Sequence, residues 1–187
     1  MTIQRPIPRL MIAAAHKSSG KTVISTGLAA ALCNAQTTVQ TFKKGPDYID
    51  PMWLSAASGR PCYNLDFNTM EADERNTLLG SRASSADLAL LEANKGLFDG
   101  VAADGSDSNA ELAKQLEVPV VLVIDTSGVT RGIAPLLMGY QAFDPQVNIA
   151  GVILNKTGGT RHEGKLRTAV ETYTGLTVLG PSAETNG

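Results

Sequence analysis

Residues 15–22, AHKSSGKT, have the residue types and spacing of a phosphate-binding loop, with alanine in place of the first glycine. The stretch follows an apolar run and precedes a helical pattern, which is the context that such a loop requires. Backbone N–H groups would bind phosphate oxygens, Lys21 would reach the β- and γ-phosphates, and the Thr22 hydroxyl would ligate Mg²⁺. The competing interpretation is a small-residue turn that binds nothing. The residues predicted to contact the nucleotide are Lys17, Ser18, Ser19, Gly20, Lys21 and Thr22.

A second charged stretch, residues 41–51 with the sequence TFKKGPDYIDP, carries two lysines and two aspartates around a Gly-Pro turn. Cations and carboxylates at this density can neutralise and orient a phosphoryl group in transfer. The same composition is also typical of a solvated surface turn. The choice between the two depends on what lies beside this turn in the fold.

Polar residues also close several other strand-like runs, and in a parallel α/β sheet the carboxyl ends of the strands are where ligands bind. Glu92 closes LALLE and is placed to hold Mg²⁺ directly or through water. Asp125 closes VVLVID and competes with Glu92 for the metal, as a Walker-B-type acid. Asn155 can pair with the edge of adenine, while the stem of Lys156 covers the ring. Asp99 is a weaker candidate, because Asp-Gly is also a common turn dipeptide.

Composition limits the class of protein. At 187 residues, with 43% hydrophobic and 18% charged residues, the chain is expected to form one α/β domain over residues 1–187. The net charge of −2 argues against a nucleic-acid partner. No apolar run has membrane-spanning length and the N-terminus lacks a signal-peptide core, so no membrane partner and a cytoplasmic location are expected. The two cysteines and two histidines are too few for a disulfide framework or a zinc site.

Strand-like runs alternate with helical patterns along the chain. The predicted strands are 9–15, 38–42, 88–92, 118–125, 149–155 and 176–179, and the predicted helices are 21–34, 72–82, 109–116, 132–142 and 161–173. Several strands are aliphatic throughout, as in strands that are buried on both faces. The sequence therefore predicts an α/β fold with a doubly wound, mainly parallel sheet and helices on both faces. Capping boxes are predicted at Asn68 with Glu71, Ser108 with Glu111, and Thr160 with Glu163.

Together these stretches resemble the N-terminal synthetase domain of the cobyrinic acid a,c-diamide synthase family, a P-loop domain similar in fold to dethiobiotin synthetase. The resemblance covers nearly the whole chain, and its most specific part is the GPDYIDP block. Ala15 and the Ala93-Asn94 pair depart from the family pattern. The blocks that carry the resemblance are AHKSSGKT (15–22), FKKGPDYIDP (42–51), SGRPCYNLD (58–66), EANKGLFDG (92–100), GSDSNAELAKQLEVPVVLVID (105–125) and FDPQVNIAGVILNKTGGTRHEGKLR (143–167).

The resemblance implies an ATP- and Mg²⁺-dependent amide ligase. Such an enzyme amidates peripheral carboxylates, at the a and c positions of a tetrapyrrole-derived ring, through an acyl phosphate. Lys43 would neutralise both the substrate carboxylate and the transferring phosphoryl group. Lys21 would take part in catalysis by binding the phosphates of the nucleotide. Asp47 would ligate Mg²⁺ or orient Lys43. The residues expected to contact the substrate, or to fix its loop, are Tyr48, Asp50 and Asp99.

The resemblance also implies a source of ammonia. Members of the family usually continue into a C-terminal glutaminase domain, which these 187 residues do not contain. Ammonia is therefore expected from a glutaminase domain on a longer chain or from another source. Folds of this type often form dimers, so a homodimer is one expected state.

Two other functions compete with this interpretation. A siroheme amidase of dissimilatory sulfur metabolism is similar in sequence, and Lys43-Lys44 and the SGRPCYNLDF block fit that subgroup. A partitioning-type P-loop ATPase shares the fold, but it typically has a lysine at the position of His16. That second alternative is the weaker one, because the chain also lacks a basic surface and a terminal amphipathic helix.

Overall fold

The structure is a computed structural model that describes residues 7–180, and six parallel strands form one sheet in this part of the chain. The strands are β1 (Arg9–Ala14), β2 (Val39–Lys44), β3 (Tyr63–Leu65), β4 (Leu88–Glu92), β5 (Val120–Asp125) and β6 (Ile149–Asn155). Their order across the sheet is β3-β2-β4-β1-β5-β6. The helices are α1 (Lys21–Asn34), α2 (Asp50–Ser58), α3 (Ala72–Ala83), α4 (Asn109–Gln115), α5 (Ile133–Phe143) and α6 (Thr160–Thr174). No helix in this part of the chain is both long enough and apolar enough to cross a membrane.

The sheet is buried on both faces, which explains the aliphatic strands. Along β1, Met11 and Ala13 join a core that includes residues of α3, α4, α5 and α6, whereas Ile12 and Ala14 join a core against α1 and α2. Neighbouring strand residues point to opposite faces, so a strand between two helical layers must be apolar at every position. The predicted fold class is therefore confirmed.

The five predicted helices are confirmed, with each boundary within one residue of its prediction. The structure adds two elements that were not predicted, α2 and the three-residue strand β3. The strand predicted at 176–179 is reduced to a single parallel bridge between Val178 and Val152. β2 also runs two residues further than predicted, so Lys43 and Lys44 belong to the strand and not to the turn after it.

Only one of the three predicted capping boxes places its N-cap correctly. Ser108 caps α4 by accepting a hydrogen bond from the backbone N–H of Glu111, at 3.1 Å. The prediction at Asn68 is wrong, because Glu71 is itself the N-cap of α3 and pairs with Glu74 in a capping box. The prediction at Thr160 is also wrong, since Gly159 is the N-cap of α6 and no side chain among residues 7–180 caps this helix.

The strand order brings the predicted site residues to one edge of the sheet. β1 lies between β4 and β5, so the loop that follows β1 is flanked by the carboxyl ends of both neighbours. On the other side of β4, Lys43 of β2 is the register partner of Glu92 of β4 and of Asn64 of β3. Asn64, Lys43 and Glu92 therefore form a row across three adjacent strands on one face of the sheet.

Candidate active site

The phosphate-binding loop is held from the end of β6. Asn155 Nδ2 donates a hydrogen bond to the carbonyl oxygen of Ser19 at 2.8 Å, and Lys156 Nζ donates to that of Ser18 at 3.1 Å. Gly20, at the N-cap of α1, has φ of 95°. A Cβ atom on Gly20 would lie 2.3 Å from Asn155 Nδ2, so both the backbone and the packing require glycine there. The structure thus brings Asn155 to the loop backbone, and its contact with a base stays a prediction.

Lys21 points away from solvent toward the segment after β4. Its Nζ atom donates to the carbonyl oxygen of Lys95 at 2.7 Å. Burial, together with the positive charge of Lys43, lowers the pKa of Lys21 below its ordinary value. Lys95 has a positive φ of 39°, an uncommon conformation for a residue other than glycine. The charge of Lys43 therefore acts on Lys21, so the two lysines that were predicted to act on phosphate lie in the same site.

Glu92 connects the phosphate-binding loop to β2. Its Oε1 atom accepts hydrogen bonds from the Thr22 hydroxyl at 2.7 Å and from Lys43 Nζ at 2.8 Å. Glu92 is 1% exposed and Lys43 is 2% exposed, so this pair lies out of contact with bulk water. A charge pair buried in this way needs further hydrogen bonds to be tolerated. Lys43 makes two of them, to Asp50 and to the carbonyl oxygen of Ala93.

Lys43 donates to three acceptors. Besides Glu92, they are Asp50 Oδ2 at 2.6 Å and the carbonyl oxygen of Ala93 at 3.2 Å, and Asp47 Oδ2 lies 3.9 Å from the same Nζ atom. Burial disfavours the charge on Lys43, but the carboxylates of Glu92 and Asp50 outweigh it, and the pKa of Lys43 is raised. Burial likewise acts to raise the pKa of Asp50, and the hydrogen bond and charge of Lys43 reverse this, so that the pKa of Asp50 is lowered. Lys43 and Asp50 therefore hold each other in the charged form.

Asp47 shapes the turn between β2 and α2. Its Oδ1 atom accepts hydrogen bonds from the backbone N–H groups of Ile49 at 3.0 Å and Asp50 at 3.1 Å. Asn64 Nδ2 donates to the carbonyl oxygen of Asp47 at 2.9 Å. These bonds aim Asp50 at Lys43 from the first residue of α2. The charged side chains of this stretch therefore form a cluster around the buried Lys43 and are not simply solvated, and their role in the reaction stays a prediction.

Two of the predicted substrate residues lie beyond this cluster. Tyr48 is 83% exposed and follows Asp47 directly, beside the exposed apolar residues Ile49, Met52 and Trp53. Asp99 accepts a hydrogen bond from the backbone N–H of Gly96 at 3.0 Å. Substrate contact by Tyr48, Asp50 and Asp99 stays a prediction.

Asp125 is engaged elsewhere. Its carboxylate accepts a hydrogen bond from Lys156 Nζ at 2.6 Å and another from the backbone N–H of Ser127 at 3.0 Å. The hydrogen bond from Lys156 holds the pKa of Asp125 well below its ordinary value. It is Glu92, and not Asp125, that contacts Thr22, so the geometry favours Glu92 of the two acids for a metal role.

The donor set at Glu92 fits a hard cation such as Mg²⁺. Glu92 Oε2 is buried and accepts no hydrogen bond from residues 7–180, while the Thr22 hydroxyl lies against the other carboxylate oxygen. Carboxylate and hydroxyl oxygens are ligands that Mg²⁺ prefers, together with phosphate oxygens and water. Within the same residues, no group of three or more histidine, cysteine, aspartate or glutamate side chains could hold a metal by itself. The remaining ligands of such an ion would be phosphate oxygens and water.

Asn109 was missed by the sequence analysis. Its buried side chain donates to the carbonyl oxygens of Asn94 at 2.6 Å and Gly96 at 2.7 Å, and it accepts from the backbone N–H of Asn94 at 3.1 Å. Asn109 therefore fixes the segment 93–96, whose carbonyl groups meet both Lys43 and Lys21. Its position directly after the Ser108 cap is the one local signal that could have singled it out.

Comparisons with known proteins identify the domain. The family model described as the CobQ/CobB/MinD/ParA nucleotide binding domain matches residues 10–185. The chain belongs to this family of nucleotide-binding domains. It is 49% identical over 174 residues to the cobyrinate a,c-diamide synthase of Magnetococcus marinus, a match that covers 93% of this chain and 37% of the relative. The hydrogenobyrinate a,c-diamide synthase of Streptomyces coelicolor is 45% identical over 175 residues, with 93% and 36% covered. These relatives confirm the resemblance seen in the sequence, and the chain spans little more than a third of their length.

Solved structures confirm the fold alone. Chloroplast FtsY from Physcomitrella patens superposes with a TM-score of 0.65 at 18% identity, over 93% of this chain and 58% of that one. The signal recognition particle 54 kDa protein from Aeropyrum pernix, in complex with GDP, superposes with a TM-score of 0.64 at 19% identity, over 94% of this chain and 42% of that one. Identities this low carry no information on substrates.

Proposed function

We propose that this chain is the nucleotide-binding synthetase part of an amide ligase. It uses ATP to activate peripheral carboxylates of a tetrapyrrole-derived ring, cobyrinate or its hydrogenobyrinate analogue, at the a and c positions. The names of the relatives support this ring class. The observation that carries the proposal is the buried Lys43 ammonium, which joins Glu92 beside the phosphate-binding loop to Asp50 on α2.

Activation is required because a carboxylate resists attack by ammonia, since oxide is a very poor leaving group. The carboxylate oxygen attacks the γ-phosphorus of ATP, the bond to the β,γ-bridging oxygen breaks, and ADP leaves. Ammonia then forms a bond to the carbonyl carbon of the acyl phosphate, and the C–O bond to phosphate breaks with its electron pair on that oxygen. One proton of the attacking nitrogen passes to the departing phosphate. The protein contributes mainly positioning and charge neutralisation in such a sequence.

The residues of the site have separate tasks in this sequence. Lys21 leaves the Lys95 carbonyl and donates to the β- and γ-phosphates, where its charge is matched. Lys43 lies between the substrate carboxylate and the phosphoryl group and neutralises both. Asp50 and Asp47 hold Lys43 charged and in place. Glu92 and Thr22 would hold Mg²⁺, with Asp47 as a further candidate ligand, and that ion would neutralise charge that develops on the phosphate oxygens.

The proposed reaction requires a source of ammonia. The chain spans about 37% of the length of the Magnetococcus relative that it matches. We infer that a glutaminase domain, elsewhere on a longer chain or on a separate one, supplies ammonia in the complete enzyme. Free ammonium should replace it in an assay of this chain, because the proposed synthetase steps involve no group of the glutaminase.

The test is an amidation assay with the rings kept separate. The protein is incubated with Mg-ATP and ammonium chloride, and with cobyrinic acid, hydrogenobyrinic acid or siroheme, and product masses and ADP are followed. Replacement of one or two hydroxyl groups by amino groups in the first or second ring, with matching ADP, is the expected result. Amidation of siroheme alone would identify the protein as a siroheme amidase, the competing interpretation. Failure of every ring to change mass, while ATP binds and ammonium is in excess, would overturn the proposal.

A further inference from the structure

One histidine side chain joins two loops at the carboxyl edge of the sheet. His162, in the first turn of α6, accepts a hydrogen bond at Nδ1 from the backbone N–H of Gly158 at 2.9 Å. Its Nε2 atom lies 2.5 Å from the carbonyl oxygen of Val129. Gly158 belongs to the loop between β6 and α6, and Val129 belongs to the loop between β5 and α5. His162 has no task in the reaction as it is described above.

The two partners of His162 fix the chemical form of its ring. A backbone N–H can only donate and a carbonyl oxygen can only accept, so Nδ1 offers its lone pair and Nε2 carries the proton. A neutral imidazole has one donor and one acceptor, and both are used here. The ring also packs against the backbone of Gly158, where an added Cβ atom would lie 3.4 Å from Nδ1. His162 therefore contacts both loops with its whole hydrogen-bonding capacity.

Two further links join the same loops nearer to the sheet. Thr126 donates to the carbonyl oxygen of Asn155 through its backbone N–H at 3.0 Å and through its hydroxyl at 2.8 Å. Lys156 Nζ donates to Asp125 Oδ2 at 2.6 Å. These contacts lie at the strand ends, whereas His162 acts further along each loop. The bonds of His162 thus hold the outer parts of the two loops together.

The backbone of these loops needs such a link because it is poorly constrained by itself. Residues 156–159 have the sequence KTGG, and Gly159 has φ of 107°. Lys156 has a positive φ of 58°, and Gly128 on the other loop has φ of 71°. Glycine loses more conformational entropy on ordering than any other residue. A side chain that bonds to both loops therefore offsets part of the cost of keeping their shape.

The direction of the nucleotide relative to these loops follows from the proposed function. The phosphate-binding loop follows β1, which lies between β4 and β5. Glu92, Thr22 and Lys43 lie on the β4 and β2 side, where the γ-phosphate would react. A nucleotide with its γ-phosphate on that side extends its nucleoside across the ends of β5 and β6. Lys156 connects this second side to the phosphate-binding loop, since its Nζ atom donates to the carbonyl oxygen of Ser18 at 3.1 Å.

We propose that the loops 126–132 and 156–159 border the site for the adenine and ribose of ATP, and that His162 is the positioning residue that holds them there. The inference rests on the proposed function, which supplies the direction of the nucleotide. His162 acts through the two loops and not on the reacting atoms. Its loss should weaken the contacts with the nucleoside and spare those with the phosphates, because Lys21, Thr22 and the backbone of the phosphate-binding loop are unaltered.

Two ligands that share the phosphate chain test this assignment. Inorganic triphosphate has the phosphate chain of ATP but no nucleoside, and isothermal titration in the presence of Mg²⁺ gives the affinity for each. His162→Phe removes both hydrogen bonds and should weaken the binding of ATP about tenfold and that of inorganic triphosphate less than twofold. Thr172→Ala, at an exposed position of the same helix, is the control and should change neither affinity. An unchanged affinity for ATP, or equal losses for the two ligands, would overturn the inference.

Two more variants and one more measurement separate a positioning role from simple packing. His162→Gln keeps a side-chain donor and acceptor and should recover part of the affinity for ATP. His162→Ala repeats the comparison without new bulk, should phenylalanine not be accommodated. Hydrogen exchange at the Gly158 amide, followed by NMR, should be slow in wild type and Thr172→Ala and faster in His162→Phe. Equal exchange in wild type and His162→Phe would show that His162 does not hold this loop, which would overturn the inference.

The result is independent of whether a ring is amidated, because neither measurement contains a ring or ammonium. A protein that shows the expected affinities but amidates none of the rings would reject the proposed function and uphold the role of His162. An active amide ligase in which His162→Phe binds ATP as wild type does would reject the role of His162 alone.

Discussion

Lys43 and Glu92 are register partners on neighbouring parallel strands, and Lys43 Nζ donates to Glu92 Oε1 at 2.8 Å with both side chains buried. The same oxygen accepts from Thr22, the threonine of the phosphate-binding loop. One carboxylate oxygen therefore links the nucleotide side of the site to the β2 side. Removing either partner of a buried pair leaves the other charge uncompensated, at a cost of about 3–5 kcal/mol.

Lys43→Ala should abolish ring-dependent ADP formation while nucleotide affinity changes less than about tenfold, because no part of the phosphate-binding loop is altered. The free energy of unfolding should fall with it, since Glu92 and Asp50 lose their counter-charge. Lys44→Ala is the matched control: it is also buried and lies on the same strand, but its side chain points to the opposite face. Equilibrium nucleotide binding, urea unfolding and the amidation assay are measured on both. Full turnover by Lys43→Ala would remove Lys43 from the mechanism.

Lys21→Ala should weaken nucleotide binding roughly 10- to 100-fold, which is the value of a charge-assisted hydrogen bond to phosphate. Within residues 7–180, Lys21 Nζ donates a hydrogen bond only to the Lys95 carbonyl, so the fold should tolerate its loss. Lys17→Ala, at an exposed position of the same loop, should weaken binding far less. Isothermal titration with Mg-ATP gives both affinities. Equal losses in the two variants would indicate a nonspecific effect of loop charge.

Gly20→Ala should destabilise the domain by about 2 kcal/mol and abolish nucleotide binding, because it combines a positive φ with a clash against Asn155. The double variant with Asn155→Ala removes the atom that the new Cβ meets and should recover part of the stability. It should not recover all of it, since the backbone conformation remains unfavourable for alanine. Urea denaturation of the single and double variants measures this coupling. If the losses in the free energy of unfolding simply add in the double variant, the Asn155 side chain does not restrict which residue fits at position 20.

The sequence predicted those elements whose signals are local. Helical periodicity, between the aliphatic runs and after the phosphate-binding loop, led to five helices within one residue of their observed ends. The helix α2 was missed because Met52 and Trp53 stay exposed, which obscures the apolar stripe of an amphipathic helix. The strand β3 has three residues, too few for a periodic pattern, and depends on its pairing with β2.

The sequence indicated residues that gather at one edge of the sheet, but it did not predict how they contact one another. Glu92 and Asp125 could not be ranked from the sequence, because β4 and β5 both lie beside β1. Their partners in the fold favour Glu92 for a metal role, since the Thr22 hydroxyl donates to Glu92 while Lys156 donates to Asp125. Likewise, the pairing of Lys43 with Glu92 depends on the adjacency of β2 and β4, although β3 intervenes in the chain. Which residues of two strands pair depends on the order of strands in the folded sheet, and no local sequence signal gives that order.

Asp50→Asn should change how stability depends on pH. Burial acts to raise the pKa of Asp50, but the hydrogen bond and the charge of Lys43 outweigh it, so the pKa of Asp50 lies below its ordinary value of 3.8. A lowered pKa contributes stability that is present above pH 3.8 and is lost as the pH falls through the folded-state value. Wild type should therefore exceed Asp50→Asn by about 1–2 kcal/mol at pH 7 and pH 5, and the gap should close below pH 3.8. Urea unfolding across this range measures the gap, with Asp73→Asn on α3 as an exposed control. A gap that stays constant down to acid pH would show that the Asp50 charge does not stabilise the fold through Lys43.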